Sequence, residues 1–361
     1  MNFKFLFFTL PFLAMTACSS DDDVSENHGS QQQGKGVPIS IEVSEEPLND
    51  PSGVGSRAPI TFKESLTSFY FHILPYNCPG INVRAVASRT NAQGAGNRWE
   101  TNAQWPSGVD INTQCYFYAF ANVDYDGPDY SPFSPGSTTF TPPKGSLNFS
   151  SDEFAQAQMD LLVARQICTQ KENQDEENPK PVHFQFHHAC AALQFSICKT
   201  AALDDYTVSL SKVKLHNIKK HGTYFFDGDD WGNSTAVPGD SYADYTLASF
   251  DNSVEVPAES TSTILLAKNG NPDDYMFVIP QKVNSWDYTN QTITVNDGMN
   301  YPKAYLEIEC SIVKNGKDYA DNSKVYLPFA DTWEMSYIHR YKIRMGTNLR
   351  GLNGNKIDFK H

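Results

Sequence analysis

"VPISIEV" (residues 37–43) alternates without interruption: Val37, Ile39, Ile41 and Val43 fall on one side, and Pro38, Ser40 and Glu42 on the other. Alternation with period two marks a half-buried strand, because successive side chains leave a pleated backbone on opposite faces. Proline has no N–H to give to a ladder, so Pro38 predicts a place at a sheet edge. The same signature recurs along the chain. "SFYFHIL" (68–74), "CYFYAFANV" (115–123), "VHFQF" (182–186) and "ALQFSIC" (192–198) read as strands. So do "TVSLSKVKLHNI" (207–218), "STILLA" (262–267), "YMFVIPQ" (275–281), "AYLEIECSIV" (304–313) and "IHRYKIRM" (338–345). Clusters of Gly, Pro, Asn, Asp and Ser separate them, such as "DYDGPDYSPFSPGS" and "FFDGDDWGN". Only "SSDEFAQAQMDLLVA" (150–164) reads as partly helical, as a long turn entering a strand. Many short strands between turn signals predict an all-β sandwich architecture.

The chain begins "MNFKFLFFTLPFLAMTAC", with Lys4 near the start, an apolar run from Phe5 to Leu13, and small residues before Cys18. That is the plan of a secretory signal peptide over residues 1–17. The run is interrupted by Pro11 and is shorter than the roughly 20 apolar residues of a membrane-spanning helix. Met15-Thr16-Ala17-Cys18 resembles a bacterial lipobox, which implies cleavage before Cys18 and a lipid such as palmitate on its thiol. The acids that follow, Ser19-Ser20-Asp21-Asp22-Asp23, resemble the signal that sends Bacteroidetes lipoproteins to the cell surface. A charged, Ser-rich stretch also reads as a solvated tether, here residues 18–36, since it has too little apolar surface to fold.

Length fits two domains. The break falls in "QKENQDEENPKP" (170–181), polar and closed by two prolines, giving an N-terminal domain over 37–180 and a C-terminal one over 181–361. The net charge is −14, from 42 carboxylates against 28 Lys and Arg, which disfavours nucleic acid as a partner. After Cys18, six cysteines remain, with no CxxC pair and no regular spacing. They read as small buried residues, without a zinc site or a disulfide framework.

The landmarks occur in a telling order: the lipobox with its acids, the alternating strand, "SRAP", "TSFYFHIL", "WPSGVDINTQCYFYAFANV", "MDLLVA", "VHFQFHHACAALQFSI", "VKLHNIKKHGTYFF", "MFVIPQK" and "LPFADTWEMSYIHRYKIRMG". Together they resemble the fimbrillin family of Bacteroidetes, the lipoprotein subunits of type V pili. The resemblance implies two transthyretin-like Greek-key β-sandwich domains in tandem, and assembly by donor-strand exchange. It also implies a cell-surface fimbria at the outer membrane, other fimbrial subunits as partners, and a stalk, tip or anchor role. "SRAP" stands where the family is cut.

The residues make their own case for exchange. The stretch "EEPLNDPSGVGSRAPITF" after the first strand is rich in loop formers, and such loops are nicked readily. Arg57 is the only basic residue between Lys35 and Lys63, so a trypsin-like, Arg-specific protease meets one bond, Arg57–Ala58. Loss of strand 37–43 would uncover a groove whose four inward side chains are each worth about 1.5–3 kcal/mol when buried. An open strand position invites β-augmentation. Candidate donors are Tyr341, Ile343 and Met345, which alternate, and then Ile357 and Phe359 beyond "GTNLRGLNGN".

Other chemistry is weaker. His183 and His187 share a strand face but are too far apart to serve one ion readily, and "DGDDWG" lacks the glutamate of an EF-hand. No GxSxG, HExxH, P-loop or dinucleotide motif is present, so an enzyme is not expected, nor a metal or cofactor. Trp99, Trp105, Trp231, Trp286 and Trp333 leave open a second reading, a lipid-anchored surface protein holding glycans for an outer-membrane uptake system. A host or glycan ligand stands as a further partner under either reading.

Overall fold

Aromatic and β-branched residues set two apart pack well on a pleated surface, and nearly every stretch that shows this pattern forms a strand. The computed structural model describes residues 37–50, 66–90, 98–122, 133–135, 142, 144–150, 160–175, 177–232, 242–266, 275–283 and 304–346. Cys18, Arg57, Ala58, Trp286, Ile357 and Phe359 lie outside them.

The largest sheet has seven strands. Its order is β1 (Ile41–Glu45), β9 (Val182–His188), β8 (Leu162–Thr169), β5 (Gln114–Ala121), β2 (Ser68–Pro75), β3 (Val83–Thr90) and β4 (Arg98–Thr101). A second sheet sets β10 (Ala191–Lys199) against β15 (Ile264–Leu266) and β16 (Met276–Val278) on one side and β21 (Ile338–Met345) on the other. A third runs β14 (Tyr242–Glu255), β11 (Tyr206–Lys219), β18 (Tyr305–Lys314), β19 (Lys317–Pro328). The fourth runs β13 (Asp230–Trp231), β12 (His221–Phe225), β7 (Gly145–Ser150), β6 (Phe133–Pro135), and a pair joins β17 (Gln281–Val283) to β20 (Asp331–Trp333). The tight turn between β18 and β19 uses Asn315 (φ 50°) and Gly316 (φ 74°), the left-handed pair that a two-residue hairpin demands.

Three apolar cores hold these sheets. The second and third sheets face each other across one, where Phe195, Tyr341 and Ile343 meet Val213, Leu215 and Ile308. The inner face of the seven-stranded sheet encloses another, with Phe69, Phe71, Phe117, Phe184 and Phe186 at its centre. The sheet curls to do so: beyond β4, Ala103 and Trp105 exchange backbone bonds with Ile39 and Val37, across 3.4 and 2.9 Å. The third core lies on the outer face of β5, where Tyr116, Tyr118 and Phe120 pack with Leu147, Tyr224 and Phe277. Gly145 lets β7 approach, since a Cβ there would sit 2.7 Å from the Phe133 ring.

One expectation changes. The stretch 150–164 is not helical where described: Ser150 ends β7, and Leu162 to Ala164 open β8 with all three side chains buried. The position 180/181 does not separate the first sheet from the second. β9 starts at Val182 and pairs with β1 and β8 in the first sheet, so the chain crosses to the second sheet between His188 and Ala191. The polar stretch 170–181 lies within the run of strands of the first sheet, where a loop at a sheet's rim is as polar as a linker between domains.

Phe117 is fully buried, edge-on to Trp105 and Phe184. Phe117→Ala is expected to lower stability by about 3–5 kcal/mol, measured by urea denaturation followed through tryptophan fluorescence.

Candidate functional site

The segment Val37 to Asp50 is the part of the chain on which the sequence placed its chemistry, and its inward face is apolar as the alternation requires. Ile39 is buried, and Val37, Ile41 and Val43 pack against the same core. β1 ends the sheet order, and among the described residues its only ladder runs parallel to β9, from Ile41 opposite Val182 to Glu45 opposite Phe186. Parallel pairing is slightly less stable per residue than antiparallel. Residues ahead of Ile41 do not face an open edge, since they meet the stretch after β4 through the Pro38–Gln104 bridge.

Polar side chains clamp the segment. The helical turn α1 (Gln170–Asn173) opens with a capping box: the Thr169 hydroxyl accepts from the Glu172 N–H (3.2 Å), and the Glu172 carboxylate accepts from the Thr169 N–H (2.8 Å). Those bonds to Thr169 hold the Glu172 carboxyl below its ordinary range. The turn delivers Asn173 into the interior, 4% exposed. Its amide nitrogen donates to the Ser40 hydroxyl (3.0 Å) and to the Lys180 carbonyl (2.9 Å), and its oxygen accepts from the Trp105 indole (3.2 Å). Further on, Ser44 hydrogen-bonds His183 at 2.8 Å, and Gln185 donates to Glu46.

The segment then leaves the first sheet and reaches β21. Leu48 is buried in the core on the outer face of β5. The Asn49 N–H donates to the Ser336 carbonyl (2.7 Å), and its carbonyl accepts from the Ile338 N–H (2.9 Å). Asp50 pairs with Arg340, whose guanidinium also donates to Gln194 (3.2 Å) and the Tyr275 hydroxyl (3.1 Å). The Ser336 hydroxyl donates to the His188 carbonyl at 2.6 Å. His188 is itself buried against Asp160; burial pulls the imidazole down, and the adjoining carboxylate outweighs it, for a net upward shift. Sequence reading found the apolar face of this site and missed Asn173, Ser336 and Arg340. The Thr-x-x-Glu capping box was the one signal that could have turned "QKEN" from linker into structure.

The candidate donors divide. Tyr341, Ile343 and Met345 are buried in β21, paired with Phe195, Ile197 and Lys199 of β10. The Tyr341 hydroxyl accepts from the Trp333 indole (2.8 Å) and donates to Asp331. These three complete their own sheet, and giving them away would open the core they fill. Ile357 and Phe359 lie outside the described residues.

The remaining motifs have separate partners. His187 meets Asp229, which also accepts from the Tyr224 hydroxyl, while Asp227 meets Arg165. Trp105 and Trp333 are buried, Trp99 packs on the inner core, and Trp231 donates to the Ala189 carbonyl (2.6 Å). The four described tryptophans therefore pack into the protein and form no common stacking platform.

A family model described as fimbrillin-like matches residues 81–357, and the chain belongs to that family. A crystal structure of a fimbrial protein from Bacteroides vulgatus aligns with TM-score 0.51 and 16% identity, covering 90% of this chain and 97% of that one. A fimbrial assembly protein from Parabacteroides distasonis aligns with TM-score 0.41 and 11% identity, covering 90% and 99%. No curated protein matches the chain.

Asn173→Ala removes the acceptor of a buried indole and the clamp on Ser40. It should cost about 1–3 kcal/mol by thermal denaturation and speed hydrogen exchange in β1. Arg340→Ala breaks a half-exposed pair, so its cost should be about 1 kcal/mol or less, with faster exchange confined to Leu48–Asp50.

Proposed function

We propose that the chain is a structural subunit, stalk or tip, of a cell-surface fimbria that contributes to adhesion and is assembled by protease-triggered donor-strand exchange. Family membership supports a pilus-type adhesion subunit at the cell surface, a non-enzymatic role, and other fimbrial subunits as partners. The protein is exported as a lipoprotein through Cys18, and an Arg-specific protease cuts Arg57–Ala58. The lipid and residues 37–50 lie on one fragment, so one cut both frees the subunit from the outer membrane and lets its first strand go.

The observation that carries the reading is how residues 37–50 are held. Buried side chains, backbone bonds and one ion pair connect them to β9, to the stretch after β4 and to the start of β21. Once cut, the segment has no covalent hold on the remainder. Its departure uncovers apolar surface and unpaired backbone groups that a strand of similar alternation from another subunit can cover. Because β21 fills its own sheet, the donated part is the tail after Gly346, with Ile357 and Phe359 as its apolar contacts.

The test is to treat the full chain with an Arg-specific trypsin-like protease and follow size by gel filtration and denaturing gels. Wild type should acquire Ala58 as its N-terminus and form a ladder of oligomers. Arg57→Ala should stay uncut and monomeric, and a chain lacking residues 351–361 should be cut without polymerising. A cut wild-type chain that stays monomeric, or a truncated one that polymerises as wild type does, overturns the reading.

A further inference from the structure

β5 and β8 are neighbours in the middle of the seven-stranded sheet, and their register sets Cys115 directly opposite Cys168. Both thiols turn to the inner core: Cys115 is buried in it, and Cys168 is partly buried against it. Facing residues of an antiparallel pair have Cα atoms roughly 4.5 or 5.5 Å apart, and either spacing lies within the roughly 4.4–6.8 Å that a disulfide spans. A third thiol, Cys78, sits in the turn after β2, half-buried and close enough to interact with Cys115. Among the described residues, neither of the other cysteines in a ladder faces a cysteine. Cys198 stands opposite Arg344, and Cys310 opposite Leu210 and Ser323.

We propose that Cys115 and Cys168 form a cross-strand disulfide, a covalent clamp between β5 and β8. In the cell this rests on the export reading above, because the cytosol keeps such thiols reduced. The clamp lies where the sheet needs one. β9 is in ladder register with β8 only at Leu162–His188 and Val163–His187, and β1 is the other neighbour of β9. When β1 leaves, β8 and β5 are the fully laddered antiparallel pair nearest the opening.

The chemistry is thiol–disulfide exchange with a low-molecular-weight or protein disulfide. The Cys168 thiolate attacks the oxidant's S–S bond and releases one thiolate. The Cys115 thiolate then attacks the mixed disulfide at Cys168 and releases the second. Two protein thiols are oxidised, one disulfide is reduced, and the departing thiolates take up the two protons. In the folded chain burial, with a contribution from neighbouring thiols, pushes both Cys115 and Cys168 up to about 12. Thiolate, the attacking species, is then scarce near neutral pH, so oxidation of the folded chain is slow and refolding is the efficient route to the bond.

The test refolds the full chain from denaturant in a buffer of glutathione and glutathione disulfide. Free thiols are alkylated, and peptides are mapped without reduction by mass spectrometry. Expected are one linked peptide pair carrying Cys115 and Cys168, with Cys78 alkylated. A reductant should also lower the melting temperature of wild type by roughly 5–10 °C and leave Cys168→Ser unmoved. Alkylation of both Cys115 and Cys168, or a link from Cys115 to Cys78, overturns the proposal. The buffer supplies the oxidant, so this result is independent of export, which surface labelling of intact cells reads separately.

Discussion

The outer edge of β9 has to be covered. Val182, Phe184 and Phe186 are wholly buried on its inner side, and along its edge lie backbone groups that would otherwise meet only water. A sheet end so apolar and so regular is a template for any strand that arrives. In this chain β1 takes that position, and the first sheet's remaining features follow from seating it. The curl brings Val37 and Ile39 against Ala103 and Trp105, and Asn173 is placed where Ser40 and Trp105 both need a partner.

The same segment ties the first sheet to the second. β5 is buried on both faces, so its side chains alternate between two cores rather than between core and water. The outer of those cores takes in Leu48 from the N-terminal segment and Ile338 from the start of β21. β7, from the first half of the chain, pairs with β12 from the second. Removing residues 37–50 would therefore disturb more than one strand position: it would also free the start of β21 from Asn49 and Asp50. In the proposed exchange, a strand from another subunit would replace these contacts with equivalent ones, and proteolysis would give the trade its direction.

Some of this was legible in the residues and some was not. Every stretch read from alternation or an apolar run contains a strand among the described residues, because burial on one or both faces leaves that imprint, but the ends shift: 37–43 gives β1 only from Ile41, and 275–281 is divided between β16 and β17. The strands that went unread are the polar or short ones. β14, with "FDNSVE" at its end, and β19, with "KDYADNSK" at its start, are held by ladders to β11 and β18 and present much polar surface. Backbone hydrogen bonding does not depend on side-chain hydrophobicity, so a sequence pattern cannot report it. Leu162 to Ala164, at the end of a stretch that reads as partly helical or as a turn entering a strand, open β8, because a short apolar run fits either period.

The sequence by itself determined the all-β class, the inward face of the first strand, the arginine that follows it and the family the chain resembles. These are local properties, carried by residue type and spacing of two. Only the tertiary structure decided that β1 lies parallel to β9, that β9 belongs to the first sheet, and that Tyr341, Ile343 and Met345 fill their own sheet. It alone brought Asn173 to Ser40, Arg340 to Asp50 and Cys115 to Cys168. Each of those pairings joins residues far apart in the chain, and such contacts are set by how sheets curl and pack, which no single stretch of sequence encodes.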